Sequence, residues 1–232
     1  MRLASLVFVL GLGFFLVSLF ALFPFAEAPM IVGGTIAIQA PDETGAANVV
    51  TSVVLGYRGI DTLGEIAILF TAATAAGLVL GRRELLRAVP GRPSGDVLQI
   101  ATDLLFPLLL VVGAYIILHG HLTPGGGFQG GVILAAAFFL PVLARPSSLP
   151  SHAVIGVIEG TAGAGFIVIG LLGLWHGHAF MEPLLDKGIM GSLVSAGTLP
   201  LLYLALGLKV GAELAGLLAH LAVDAPLAGG RK

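Results

Sequence analysis

The chain has 232 residues, 57% of them hydrophobic and only 10% charged, with a formal net charge of −2 and no cysteine. A soluble domain carries about 25% charged residues, so this composition, with a mean hydropathy of +1.04, cannot clothe a water-facing surface. Disulfides, iron–sulfur clusters and thiolate metal sites are excluded, and no basic run suggests nucleic acid.

A bilayer span needs about 20 apolar residues, so the length suits an all-α polytopic membrane protein of about six transmembrane helices with short loops. The first span runs from Leu3 to Phe23 and stops at Pro24. Arg2 and the small-residue run Ala26-Glu27-Ala28 resemble the flanks of a signal peptide. The apolar run, however, exceeds the usual 7–15 residues of such a segment, and a retained helix is expected. Residues 24–47, with prolines, glycines and the acids Glu27, Asp42 and Glu43, read as a loop. A short apolar stretch, Asn48 to Tyr57, leads through Arg58-Gly59 into a second span, Thr62 to Leu80. Asn48 to Leu80 is too long for one straight span, which predicts a break near Arg58-Gly59, with the preceding part at the interface or re-entering the membrane.

Gly81 to Gly95 carries Arg82, Arg83, Arg87 and Arg92 and reads as a basic loop. Span three covers Val97 to Leu118, and a turn starting at His119 precedes span four, Phe128 to Leu143. After the short loop Arg145 to Pro150, span five runs from His152 to Leu174 and is closed by Trp175, an interfacial anchor. A polar loop, His176 to Gly188, leads to span six, Leu193 to Leu221. In this arrangement Arg2, Arg82, Arg83, Arg87, Arg92, Arg145, Arg231 and Lys232 share one side, while Arg58 and Lys187 fall on the other. The positive-inside rule then predicts both termini in the cytoplasm, and a multi-pass protein of the cell (inner or plasma) membrane is expected.

Gly125, Gly127 and Gly130 formally match a dinucleotide fingerprint, but that motif works only between a strand and a helix of a soluble βαβ unit. A structural reading fits better. Pro124 ends one element, Gly125, Gly126 and Gly127 permit a tight turn, and Gly127 and Gly131 present a smooth face for another helix. Gly156, Gly160 and Ala164 repeat that spacing in span five, as do Gly207, Gly211 and Ala215 in span six.

Ionisable residues within spans cost about 2.5–3.5 kcal/mol each at a helix centre and are functional candidates by default. They are Asp61, Glu65, Asp103, Glu159, Lys209 and Glu213. Asp61 and Glu65 share a helix face, and Lys209 and Glu213, also four apart, are spaced to pair. Two readings stand for these groups: ion pairs that hold helices together, or stations on an ion or proton path. His119 and His121 flank the outer mouth of the glycine turn, where they can titrate near neutral pH. Two histidines without an assured third ligand do not define a metal site, and nothing resembles a nucleophile elbow or a phosphate-cradling loop. No catalysis and no cofactor are expected.

The run His119-Gly-His-Leu-Thr-Pro-Gly-Gly-Gly-Phe128-Gln-Gly130-Gly131 closely resembles the signature of the MnhB/MrpB family of small membrane subunits of Mrp-type cation/proton antiporters. That resemblance covers Val97 to Ala222. The run from Asn48 to Glu65 resembles the MbhE segment, which occurs as a separate hydrogenase-complex subunit or as the C-terminal part of the large MrpA subunit. Arg58, Asp61 and Glu65 match that pattern, whereas Gly56 stands where an acid is usual. The resemblance implies a fusion: an MbhE-like unit with two spans (residues 1–90) and an MnhB-like unit with four (residues 91–232), with the seam at Arg82 to Gly95. It implies a non-catalytic subunit of a Na+/H+ antiporter complex, in contact with lipid and with large and small antiporter subunits. The same module in a membrane-bound hydrogenase or related respiratory complex is the second reading, and a purely structural scaffold the third.

Overall fold

The computed structural model describes residues 3–22, 31–84, 94–145, 152–177 and 179–224. Arg2, Ala26-Glu27-Ala28, Arg87, Arg92, the expected 90/91 boundary, residues 146–150, His178, Arg231 and Lys232 lie outside the described residues, as do the side chains of Arg82, Arg83, His152 and His220. The chain divides into two compact units, Met1–Ile38 and Gln39–Lys232.

The first unit contains α1 (Leu3–Leu22), 20 residues without a charge. At 1.5 Å per residue it is ~30 Å long, the thickness of the hydrocarbon core. α2 (Ile31–Thr44) corrects the expectation of a loop throughout residues 24–47. Pro41 suggests a break, yet it sits in the last turn, where the missing N–H removes a single bond. Thr44 Oγ1 donates to Ala40 O at 2.8 Å, and Gly45, at φ +73°, ends the helix through its N–H to Pro41 O at 2.9 Å.

In the second unit α3 (Val49–Thr51) is capped by Asn48, whose side chain accepts from Val50 N at 3.1 Å, and runs directly into a π-helical segment, Ser52–Tyr57. Arg58, at φ −123° and ψ 33°, interrupts the helix, and α4 (Gly59–Glu84) begins beyond it. The break falls where the excess length of Asn48–Leu80 requires one. α5 (Asp96–Leu118), α6 (Gly127–Ala144) and α7 (His152–His176) match spans three to five within two residues.

α8 (Leu199–Asp224) starts later than the expected Leu193. Residues 193–198 are irregular instead, with Ala196 at φ +66° and Gly197 at +57° turning the chain and Ala196 N bonded to Lys187 O at 2.7 Å. Pro200 sits in the first helical turn, where proline's missing donor costs nothing.

α8 is the axis of this unit and packs on α4, α5, α6 and α7. Its buried face repeats at helical spacing: Leu202, Tyr203, Leu206, Lys209, Val210, Glu213. Among the described residues there is no strand, and six helices (α1 and α4–α8) are long and apolar enough to cross a membrane. The protein is a multi-pass, all-helical membrane protein.

Candidate functional site

Midway along α8 the apolar face is interrupted. Lys209 and Glu213, one turn apart, point into the bundle with side-chain exposures of 7% and 3%. Glu159 of α7 reaches the same point. Lys209 Nζ lies 2.7 Å from Glu159 Oε1 and 2.9 Å from Glu213 Oε2, and sits 4.6 Å from the centroid of the Phe70 ring of α4. One ammonium thus bridges two carboxylates from two helices while a third helix covers it with the face of an aromatic ring, an arrangement that offsets its desolvation. The three formal charges, two negative and one positive, sum to −1. Glu213 Oε1 is buried and has no hydrogen-bond partner among the described residues.

Beside the triad lies a cleft of about 240 Å³ between α4, α7 and α8. Glu159 and Glu213 form its charged wall, and Ala73, Thr74, Gly77, Gly156 and Gly216 leave the space. A Cβ on Gly77 or Gly156 would meet nothing within 4 Å.

The other candidates are distributed elsewhere. Asp61 pairs with Arg58, three residues before it, at 2.5 Å, and both are exposed. Glu65 is exposed one turn farther along α4, with no ion pair among the described residues. Asp103 of α5 receives both guanidinium nitrogens of Arg145, at 2.8 Å each, tying the start of α5 to the end of α6. His119 donates through Nδ1 to Tyr115 O at 3.0 Å and stacks on the Tyr115 ring. His121 is fully buried, and its Nε2 donates to Ser192 O at 3.3 Å. Burial, the main cause, with the nearby His119 charge, holds the His121 imidazole below its usual pKa of 6.5. No group of three or more His, Cys, Asp or Glu among the described residues is placed to hold a metal.

The glycine motif is a packing device. Pro124 and Gly125 shape the turn, and Gly126, at φ +129°, lies under the Tyr203 ring, where a Cβ would come within 2.6 Å. Gly127 and Gly131 face Leu206 and Val210 of α8, Gly130 faces Ile117 of α5, and Phe128 packs on the core. Across this turn Asn48 Nδ2 donates to Gly120 O and Thr123 O at 2.8 and 3.0 Å. Thr51 Oγ1 donates to Gly120 O at 2.6 Å and accepts from Tyr203 Oη at 2.7 Å. These partners, like Phe70 over Lys209, carry no signal in the sequence, because each depends on contacts between residues far apart in the chain.

Fold and triad together define a polytopic helical membrane protein with a charged cluster buried among its spans. Residues 97–216 match the family described as "Domain related to MnhB subunit of Na+/H+ antiporter". The chain belongs to that family. The protein MJ1307 of Methanocaldococcus jannaschii is 33% identical over an alignment of 198 positions that covers 73% of this chain and 74% of that one. Among solved structures, a chain of the membrane-bound sulfane sulfur reductase, an archaeal respiratory membrane complex, superposes with a TM-score of 0.81 at 38% identity, covering 95% of this chain and 97% of that one. A chain of the Mrp complex from Dietzia sp. DQ12-45-1b superposes with a TM-score of 0.78 at 26% identity over 99% of this chain, which spans only 27% of the Dietzia chain's length.

Proposed function

We propose that this chain is a non-catalytic membrane subunit of a multisubunit Mrp-type Na+/H+ antiporter and that Glu159, Lys209 and Glu213 belong to its ion-coupling path. The observation that carries the reading is the buried triad, in which one lysine bridges carboxyl groups from two helices. A scaffold needs no charge there, since apolar side chains of similar volume pack at least as stably as a buried ion pair. Family membership and the likeness to the Dietzia Mrp chain supply the antiporter context. On this reading the N-terminal region is an MbhE-like unit fused to the MnhB-like one, both termini are cytoplasmic, and the membrane is the plasma membrane. Asp61, Glu65 and Asp103 serve as secondary stations or interhelical ties, and His119 and His121 lie at the outer mouth.

The test is sodium-dependent proton exchange in vesicles carrying Glu159→Gln or Glu213→Gln at normal levels of assembled complex. Exchange reduced about a hundredfold or more, the contribution typical of a positioned proton-transfer group, supports the path. Full exchange with either variant leaves only the scaffold.

A second reading places the chain in an ion-pumping respiratory complex. The near full-length likeness to the sulfane sulfur reductase chain favours it. Mass spectrometry of the complex extracted in mild detergent separates the two, because redox subunits travel with the chain only in a respiratory complex.

A further inference from the structure

We infer that the cleft between α4, α7 and α8 is a one-ended, water-filled entry through which a small monovalent cation reaches the free carboxylate oxygen of Glu213. The inference rests on the reading of the triad as part of an ion path, but its test reads access and binding rather than exchange.

Direction comes from the helix register. Gly77 lies seven residues before the end of α4, Gly156 four residues after the start of α7, and Gly216 eight residues before the end of α8. All three helix ends belong to the same end of the bundle, the one where Arg145 closes α6. At 1.5 Å per residue the cleft therefore extends from the triad to within ~6–12 Å of those ends. Toward the opposite end, α8 is sealed by Phe166, Leu202, Tyr203 and Leu206, all 3% exposed or less.

Chemistry decides the occupant. A volume of about 240 Å³ is well above what a single water needs. Ala73, Ile155 and Leu217 make part of the lining apolar, but an acyl chain in the same space would also lie against the Glu159 and Glu213 carboxyls, a costly contact. With both carboxyls ionised the formal balance of −1 attracts a cation and repels an anion. Both Glu213 oxygens are buried without a hydrogen bond among the described residues; Oε2 lies 2.9 Å from Lys209 Nζ in an ion pair, which leaves Oε1, on the cleft-lining side chain, to receive the cation.

The chain has no cysteine, so single cysteines at Gly77, Gly156 and Thr74 report on the cleft directly. A Cβ at either glycine would have no neighbour within 4 Å, so Gly77→Cys and Gly156→Cys fit without disturbing the helices. Val157→Cys, on the exposed neighbouring face of α7, is the control. The intact complex in sealed vesicles of either orientation is exposed to membrane-impermeant methanethiosulfonates, one cationic and one anionic, and labelling of this chain is followed by its mass. The expected result is labelling of the cleft positions from one side only. The cationic reagent should react about tenfold faster, as one nearby charge supplies, and Glu213→Gln should abolish that preference. Sodium or potassium in place of choline should slow the reaction at Gly156→Cys. Silence at all three cleft positions, equal labelling from both sides, Val157→Cys reacting as fast as Gly156→Cys, or no protection by either metal ion would overturn the inference. Labelling and protection as expected, with full exchange in Glu213→Gln, would leave the cation site standing and remove the ion-path reading. The two therefore fail separately.

Discussion

Lys209→Met removes the one positive charge of the triad while keeping an unbranched apolar stem under the Phe70 ring, a contact that methionine sulfur also makes. The formal charge of the cluster falls from −1 to −2, with Glu213 only 3% and Glu159 23% exposed. Stripping a buried ion pair of one partner costs about 3–5 kcal/mol, because the other charge stays behind without compensation. For a chain of this size 1 kcal/mol corresponds to about 2–4 °C in midpoint, so Lys209→Met should lower it by about 6–20 °C. Adding Glu213→Gln returns the cluster to −1 and leaves only the partly exposed Glu159 charged, so the double variant should recover at least half of that loss. The assay is the temperature at which the detergent-purified complex loses its monodisperse peak on size exclusion. A Lys209→Met midpoint within about 2 °C of the parent, or a double variant equal to the sum of the singles, would refute the electrostatic account, since independent sites add and coupled ones do not.

Three further outcomes follow from the packing and the loop chemistry. Gly131→Ala places a Cβ 2.8 Å from Val210 Cβ and 2.9 Å from the Gly207 carbonyl, so α6 and α8 must part and the midpoint should fall by the equivalent of about 1–3 kcal/mol; Gly156→Ala, with open space around it, should instead gain up to about 1 kcal/mol of helix propensity. His121 is held below 6.5 by burial, so the unfolded chain binds the extra proton between that folded value and 6.5. Stability should therefore fall as pH drops through 6.5 and level off below the folded value, and His121→Gln should flatten the midpoint-against-pH curve. Asp103→Arg sets two cations against each other at the start of α5 and should reduce assembled complex on native gels, with recovery when combined with Arg145→Asp.

Hydropathy locates the spans because a bilayer core demands long uninterrupted apolar helices, and the ends of α5, α6 and α7 follow within two residues. It fails where an apolar run is not helical. Leu193 and Val194 read as the start of span six, but the left-handed Ala196 and Gly197 turn the chain first, and Pro200 is the available mark of the true start. It fails again at α2, where Pro41 reads as a breaker. The Lys209–Glu213 pair is legible from its i,i+4 spacing. Glu159 is legible as a buried acid but not as Lys209's second partner, because nothing local encodes a bond across 50 residues. The same holds for Asp103 and Arg145, 42 residues apart.

The two ends of the bundle differ in a way that bears on coupling. At the glycine-turn end, Tyr203, Thr51, Gly120 and Asn48 form one chain of hydrogen bonds that joins α8, α3 and the loop after α5. Gly126 and Gly127 bring that loop and α6 into backbone-close contact with Tyr203 and Leu206. Displacing α8 there breaks several buried bonds at once, at about 1–3 kcal/mol for each polar group left unsatisfied. At the other end, beyond Lys209, α8 borders the cleft, and a Cβ on Gly156 or Gly160 of α7 would meet nothing within 4 Å among the described residues. A change in charge at the triad therefore acts on a stretch of α8 that borders the cleft on one side and packs closely on α6 through Val210 and Gly211 on the other.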